Sequence, residues 1–234
     1  MRLWKELEQI CKPTILLDVG ANYGEFGMGT GYPTARDIFL VEGNRSLHEF
    51  LQKTKSRHPQ AGKIHLIHAL ASDGLNSGTE GELFVNSRWS GTSTAAGPTD
   101  SEAWESQRVP MTSVDEILGE VDASDSLLFK IDVEGFEGKV LQGMRKALEM
   151  KRCMGLIEFN HQNLKQAGTD PGEVFKGLQA KGDIYLITEQ GDSLRSSIRR
   201  VNEVFDIPDG KEDILFISRE LTQELGDLGN DSKA

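Results

Sequence analysis

Short apolar runs recur along the chain, and most are followed by a stretch in which apolar residues return every three or four positions. The runs that read as strands are 14–19, 37–42, 64–70, 126–132, 154–159, 183–188 and 213–218. Several are almost wholly apolar, as strands covered on both faces must be. Between them, Leu47, Phe50, Leu51 and Thr54 fall at helical spacing within 45–57, and Val140, Leu141, Met144 and Leu148 do so within 136–150. Asp170-Pro171-Gly172-Glu173 reads as a helix start, with a capping carboxylate, proline in the first turn and glutamate three residues after the cap. Strands alternating with helices predict a doubly wound α/β domain on a mostly parallel sheet, and 234 residues suit one such domain.

Residues 73–108 break the rhythm. They are rich in Gly, Ser and Thr around one apolar run, Leu83-Phe84-Val85, and they contain Trp89 and Trp104. Long loops in compact domains tend to serve binding, so a hairpin followed by a mobile, substrate-facing lid is expected there. The polar end, 221–234, is expected to fray.

Composition narrows the function. No apolar run approaches the ~20 residues that cross a bilayer, and Met1 to Glu8 alternate charge with apolar residues unlike a secretory signal. A cytoplasmic, non-membrane protein is expected. A formal net charge of -11 argues against nucleic acid as the main partner, and the basic clusters at 53–57 and 195–200 read as solvated helix faces. Cys11 and Cys153 are too few for a disulfide framework or a zinc site and read as reduced, buried thiols.

Candidate chemistry gathers at strand ends. In Leu16-Leu17-Asp18-Val19-Gly20-Ala21-Asn22-Tyr23-Gly24 a buried strand enters a turn with two glycines, where a ligand can approach the backbone. Glu42, 22 positions after Gly20, ends the next strand, as an acid that accepts from ribose hydroxyls does. The pair points to an adenosine-bearing cofactor. Asn22 stands where a dinucleotide fingerprint needs its second glycine, which favours S-adenosylmethionine over NAD. Ala71, Ser72 and Asp73 follow the third strand, at adenine height. Lys130-Ile131-Asp132-Val133-Glu134-Gly135-Phe136-Glu137 and Ile157-Glu158-Phe159-Asn160-His161 bring carboxylates to the next two strand ends, a polar pocket for an acceptor. Glu137 reads as a cap.

These stretches, with Val109-Pro110-Met111-Thr112-Ser113-Val114-Asp115, resemble the FkbM family of S-adenosylmethionine-dependent methyltransferases. The match runs from about Ile15 to Phe159, and K-I-D-V-E-G-F-E followed by Val140-Leu141-Gln142-Gly143 is its most specific part. The resemblance implies a Rossmann-like class I methyltransferase fold with a seven-stranded sheet of order 3-2-1-4-5-7-6, strand 7 antiparallel. It also implies O-methylation of a small hydroxylated acceptor such as a sugar, glycolipid or secondary metabolite. Gly43 and Arg45 stand where the family has prolines, and Gly27, Gly29 and Gly31 weaken the helix after Gly24. The candidate cofactor contacts are Asp18, Gly20, Asn22, Gly24, Glu42, Asn44, Ala71, Ser72, Asp73 and Asp132. Glu134 and Glu158 are the candidate general bases, with His161 behind them. An alternative has Asp132, Glu158 and Asn160 hold a magnesium ion that activates the acceptor. A cofactor-binding protein without catalysis is the reading from a different class.

Overall fold

The apolar runs form strands whose ends align. A computed structural model describes residues 2–86, 93–95, 104–188, 194 and 197–225. Its strands are β1 (Ile15–Val19), β2 (Asp37–Val41), β3 (Ile64–Ile67), β4 (Leu70–Ala71), β5 (Glu80–Asn86), β6 (Trp104–Thr112), β7 (Ser126–Ile131), β8 (Arg152–Asn160), β9 (Gly182–Ile187), β10 (Ile198–Val201) and β11 (Lys211–Ser218). The helices are α1 (Arg2–Cys11), α2 (Glu25–Met28), α3 (Arg45–Lys55), α4 (Val114–Leu118), α5 (Glu137–Gln142), α6 (His161–Gln166), α7 (Pro171–Gln179) and α8 (Arg219–Leu225).

The main sheet has the order β3-β2-β1-β7-β8-β11-β9-β10. Pairing is parallel from β3 to β8 and antiparallel from β8 outward. This is the expected 3-2-1-4-5-7-6 arrangement of the class I methyltransferase fold, with an eighth strand, β10, added at the edge. Ile198 and Val201 are buried at the two ends of β10 while Arg199 and Arg200 are exposed. The basic stretch expected as a helix face is therefore an edge strand from Ile198 onward, and residues 195–196 lie outside the described residues. An edge position lets arginine side chains reach water, and Arg200 pairs with Asp183 of β9.

Helices cover both faces. Trp4, Leu7, Leu51 and Leu221 from α1, α3 and α8 pack in one cluster. Val114, Val140, Leu141, Phe175 and Leu178 from α4, α5 and α7 pack in the other. Helix α1 was not foreseen, although Trp4, Leu7 and Cys11 lie at helical spacing and are all buried. Trp4 Nε1 donates to the Tyr32 hydroxyl at 2.7 Å. Both cysteines are buried and free, as expected.

Two elements are shorter than their patterns suggest. The stretch 64–70 divides, because Leu70–Ala71 leaves the main sheet to pair with β6 in a small sheet of order β4-β6-β5. The helix expected over 136–150 stops at Gly143, where a Cβ would lie 1.9 Å from the Ser72 carbonyl oxygen, and resumes as a 3-10 turn at Ala147–Glu149. Within 73–108, β5 and β6 form the antiparallel hairpin, with Trp104 opening β6. Residues 87–92 and 96–103, with Trp89 and much of the expected lid, lie outside the described residues. In the C-terminal stretch expected to fray, residues 221–225 belong to α8 and Leu221 is buried, while 226–234 lie outside the described residues. Among the described residues no helix is long and apolar enough to cross a membrane.

Candidate functional site

Parallel strands β2, β1, β7 and β8 end on one edge of the sheet. The chain leaves β1 toward β2 on one side while β7 flanks it on the other, so a crevice opens above β1. A cavity of about 220 Å³ occupies it. Of the residues singled out in the sequence, Gly20, Asn22, Glu42, Ala71, Asp132 and Glu134 stand in its wall.

Gly20 makes the crevice geometrically possible. Its φ is +75°, and a Cβ there would fall 1.9 Å from the Asp132 carbonyl oxygen, so the exits of β1 and β7 can touch only at glycine. Across the cavity, Glu42 is 8% exposed. Its Oε2 accepts from the Asn22 amide at 2.8 Å and its Oε1 from the Asn44 amide at 2.7 Å. Burial raises the Glu42 pKa, and these amides offset that only in part. One carboxylate thus holds both loops and still borders the cavity. Asn22 carries a left-handed backbone, φ 49°, in the turn so held.

The acidic end lies at β7 and β8. Lys130 Nζ pairs with Asp132 Oδ2 at 2.8 Å and stands 4.8 Å from the centroid of the Phe26 ring. Glu134 also has a left-handed backbone, φ 50°, and its carbonyl accepts from Thr94 Oγ1 at 2.8 Å. Backbone strain of this kind at a residue lining a cavity marks a position fixed by its surroundings. Asp132, Glu134 and Glu158 each bring a carboxylate oxygen within 4.8 Å of the others. Glu158 is 2% exposed, and its Oε2 has no hydrogen-bond partner among the described residues. Burial first, and the Asp132 charge second, push its pKa well above the ordinary carboxylate range despite the nearby Lys211 ammonium.

Five expected contacts are not brought to the cavity wall. Asp18 lies beneath the turn, its Oδ2 accepting from the Gly27 amide at 3.0 Å, and burial pushes its pKa up to about 6. Gly24 faces Met28 and Leu51. Asn44 caps α3 by accepting from the Ser46 amide at 3.0 Å. Ser72 donates its amide to the Thr112 carbonyl at 2.8 Å, and Asp73 pairs with Lys139 at 3.1 Å. Asp18, Asn44 and Asp73 thus spend side-chain polar groups, and Ser72 its amide, on the frame rather than the cavity.

The other expectations divide. Glu137 is structural but not the expected cap: Phe136 holds the cap position of α5, and the Glu137 carboxylate instead accepts from the amides of Val133 at 3.0 Å and Gly135 at 3.2 Å in the loop before it. Asn160 is not in the acidic cluster, because its side chain caps α6 by accepting from the amides of Gln162 and Asn163. Glu134 takes the third place instead. His161 is buried, with Nε2 3.2 Å from the Ile207 carbonyl oxygen and its ring edge-on to Phe159. Lys130 and Lys211 were missed as site residues. Lys130 was visible two positions before Asp132, and Lys211 followed from any antiparallel last strand, whose first residue lands on this edge.

The sequence profile of the Methyltransferase FkbM domain matches residues 18–185. The chain belongs to the FkbM methyltransferase family. Among solved structures it is similar to the methyltransferase FkbM from Methylobacillus flagellatus KT, at 16% identity and a TM-score of 0.52 over 88% of this chain and 44% of that one. The chain thus spans under half the length of that FkbM structure. Other similar structures are the O-methyltransferase TomG from Streptomyces achromogenes (9% identity, TM-score 0.47, 93% of this chain and 78% of that one) and an O-methyltransferase from Bacillus cereus (8% identity, TM-score 0.48, 92% and 79%). No curated protein matches the chain significantly. The FkbM profile covers the glycine turn, Glu42 and the whole acidic cluster except Lys211.

Proposed function

We propose that the chain transfers the methyl group of S-adenosylmethionine to a hydroxyl of a small acceptor, a sugar, glycolipid or secondary metabolite. The observation that carries this reading is the buried Glu42 carboxylate bordering an edge cavity opposite the glycine turn. Glu42 would receive the ribose hydroxyls, Ala69, Leu70 and Ala71 supply an apolar wall for adenine, and Asp132 offers its charge to the amino group. Bound there, S-adenosylmethionine supplies an activated methyl group.

The protein's own work is to align the acceptor oxygen and receive one proton. Glu134 and Glu158 are suited to the second task, because both stand beside Asp132 and Glu158 has a free, buried oxygen. Burial raises the Glu158 pKa, so its carboxylate, once ionised on the alkaline side, is a stronger proton acceptor than an ordinary one. Leu83, Ser93 and Ala95 from the insertion also line the cavity, which supports reading part of the 73–108 segment as ligand-facing.

Calorimetry should show binding of S-adenosylmethionine and S-adenosylhomocysteine but not NAD, and radiolabelled methyl should appear on members of a hydroxylated acceptor panel. Glu134→Gln or Glu158→Gln should leave cofactor affinity nearly intact while lowering turnover by ~10²–10⁴-fold for whichever is the base. NAD binding without S-adenosylmethionine binding would overturn the assignment.

A further inference from the structure

Strand β11 runs antiparallel to β8, so its first residue, Lys211, arrives at the edge where the parallel strands deliver their last. Lys211 pairs in register with Asn160, and Asp213 pairs with Glu158. The lysine therefore reaches the acidic cluster across β8, from the side away from β7. Its Nζ lies 3.0 Å from Glu134 Oε1 and also pairs with Glu158 Oε1. An ammonium that bridges two of three clustered carboxylates fills the space a metal ion shared by them would need. Asp132, the third, is already tied to Lys130. Any divalent ion entering here would sit against at least one fixed positive charge, at a separation where like charges repel strongly.

We propose that Lys211 is the resident cation of this cluster, a positioning residue that clamps Glu134 to Glu158 and takes the place of a divalent metal ion. This rests on reading the two glutamates as the proton-accepting side of the methyl-transfer site. Lys211 has three donors and is held through two carboxylates, so one ammonium fixes both glutamate oxygens in place. The charged groups facing Glu158 are Asp132 and Glu134 from the exit of β7, with Lys130 on Asp132, and Lys211 and Asp213 from β11. Removing Lys211 leaves an excess of negative charge, which makes Glu158 harder to ionise and the cluster attractive to a metal.

Titration with Mn²⁺ in a calorimeter, without cofactor or acceptor, tests the clamp separately from catalysis. The unmodified protein should show no saturable binding at this cluster. Lys211→Met and Lys211→Gln should each gain one saturable Mn²⁺ site, lost again when Glu158→Gln is added. Turnover of the unmodified protein should be insensitive to a chelator. In Lys211→Met the acidic limb of the kcat/KM profile should move to higher pH, and Lys211→Arg should restore it. Saturable Mn²⁺ binding to the unmodified protein that Glu158→Gln abolishes overturns the proposal, as does a folded Lys211→Met or Lys211→Gln protein with unaltered metal binding and pH profile. A chain that binds no S-adenosylmethionine would sink the methyltransferase reading yet leave the Mn²⁺ titration decisive for the clamp.

Discussion

At the residue scale, Glu42 joins architecture to binding. Its two oxygens each accept one loop amide, so truncation removes a ribose partner and leaves the amides of Asn22 and Asn44 unpaired in a buried place. Glu42→Ala should therefore weaken S-adenosylmethionine binding by ~1–3 kcal/mol, measured by calorimetry. Gly20 is constrained differently. Gly20→Ala places a methyl group on the Asp132 carbonyl and forces a left-handed backbone on alanine, so unfolding in urea should show a loss above about 2 kcal/mol. Residues of this kind are legible because a glycine turn and an acid about 20 positions later are covalently spaced signals. Asp18, Asn44 and Asp73 share the same motifs, but each has a nearby amide or lysine that engages its side chain, and the Ser72 amide is spent on the Thr112 carbonyl. Which polar groups are spent internally depends on distances that only the folded chain sets.

At the scale of elements, helix α7 starts where sequence chemistry places it. Asp170 Oδ1 accepts from the amides of Gly172 at 2.7 Å and Glu173 at 3.3 Å, and Pro171 needs no donor partner in the first turn. Asp170→Ala should lower stability by about 1 kcal/mol in thermal or urea unfolding while cofactor affinity stays unchanged, since the cap is remote from the cavity. The seven strands expected from apolar runs all exist, and their order follows once the family is known. Strand β10 was hidden by its two arginines, which mimic a solvated helix face. Helix α1 was hidden by alternating charges, although Trp4, Leu7 and Cys11 mark its buried side. The stretch at 64–70 divides because Leu70–Ala71 pairs with β6, and at the end of α5 Ser72 comes so close that only glycine fits at position 143; such long-range contacts leave no periodic trace.

At the scale of the whole molecule, buried carboxyl groups give stability a pH dependence of definite sign. Burial raises Asp18 from 3.8 to about 6 and Glu137 from 4.5 to about 7, with hydrogen-bonded amides pulling the other way in both and Lys130 also opposing the rise in Asp18. The folded chain therefore binds these protons more tightly than the unfolded chain, and its stability falls as pH rises from the ordinary carboxylate range through those values. Asp125 works in the opposite direction. Burial acts to raise its pKa, but the Asp122 amide and Arg36 outweigh that, so its stabilisation is present above the ordinary value and is lost in acid. Stability should accordingly peak near about pH 5 and decline toward about pH 8. Urea midpoints measured across that range would show the decline. Glu137→Gln keeps an oxygen for the amides of Val133 and Gly135 but cannot ionise, so it should remove up to ~3 kcal/mol of the change. A urea midpoint that is flat or rising over this range in the unmodified protein would show that Asp18 and Glu137 are ionised when folded without cost, and that their burial is relieved by water.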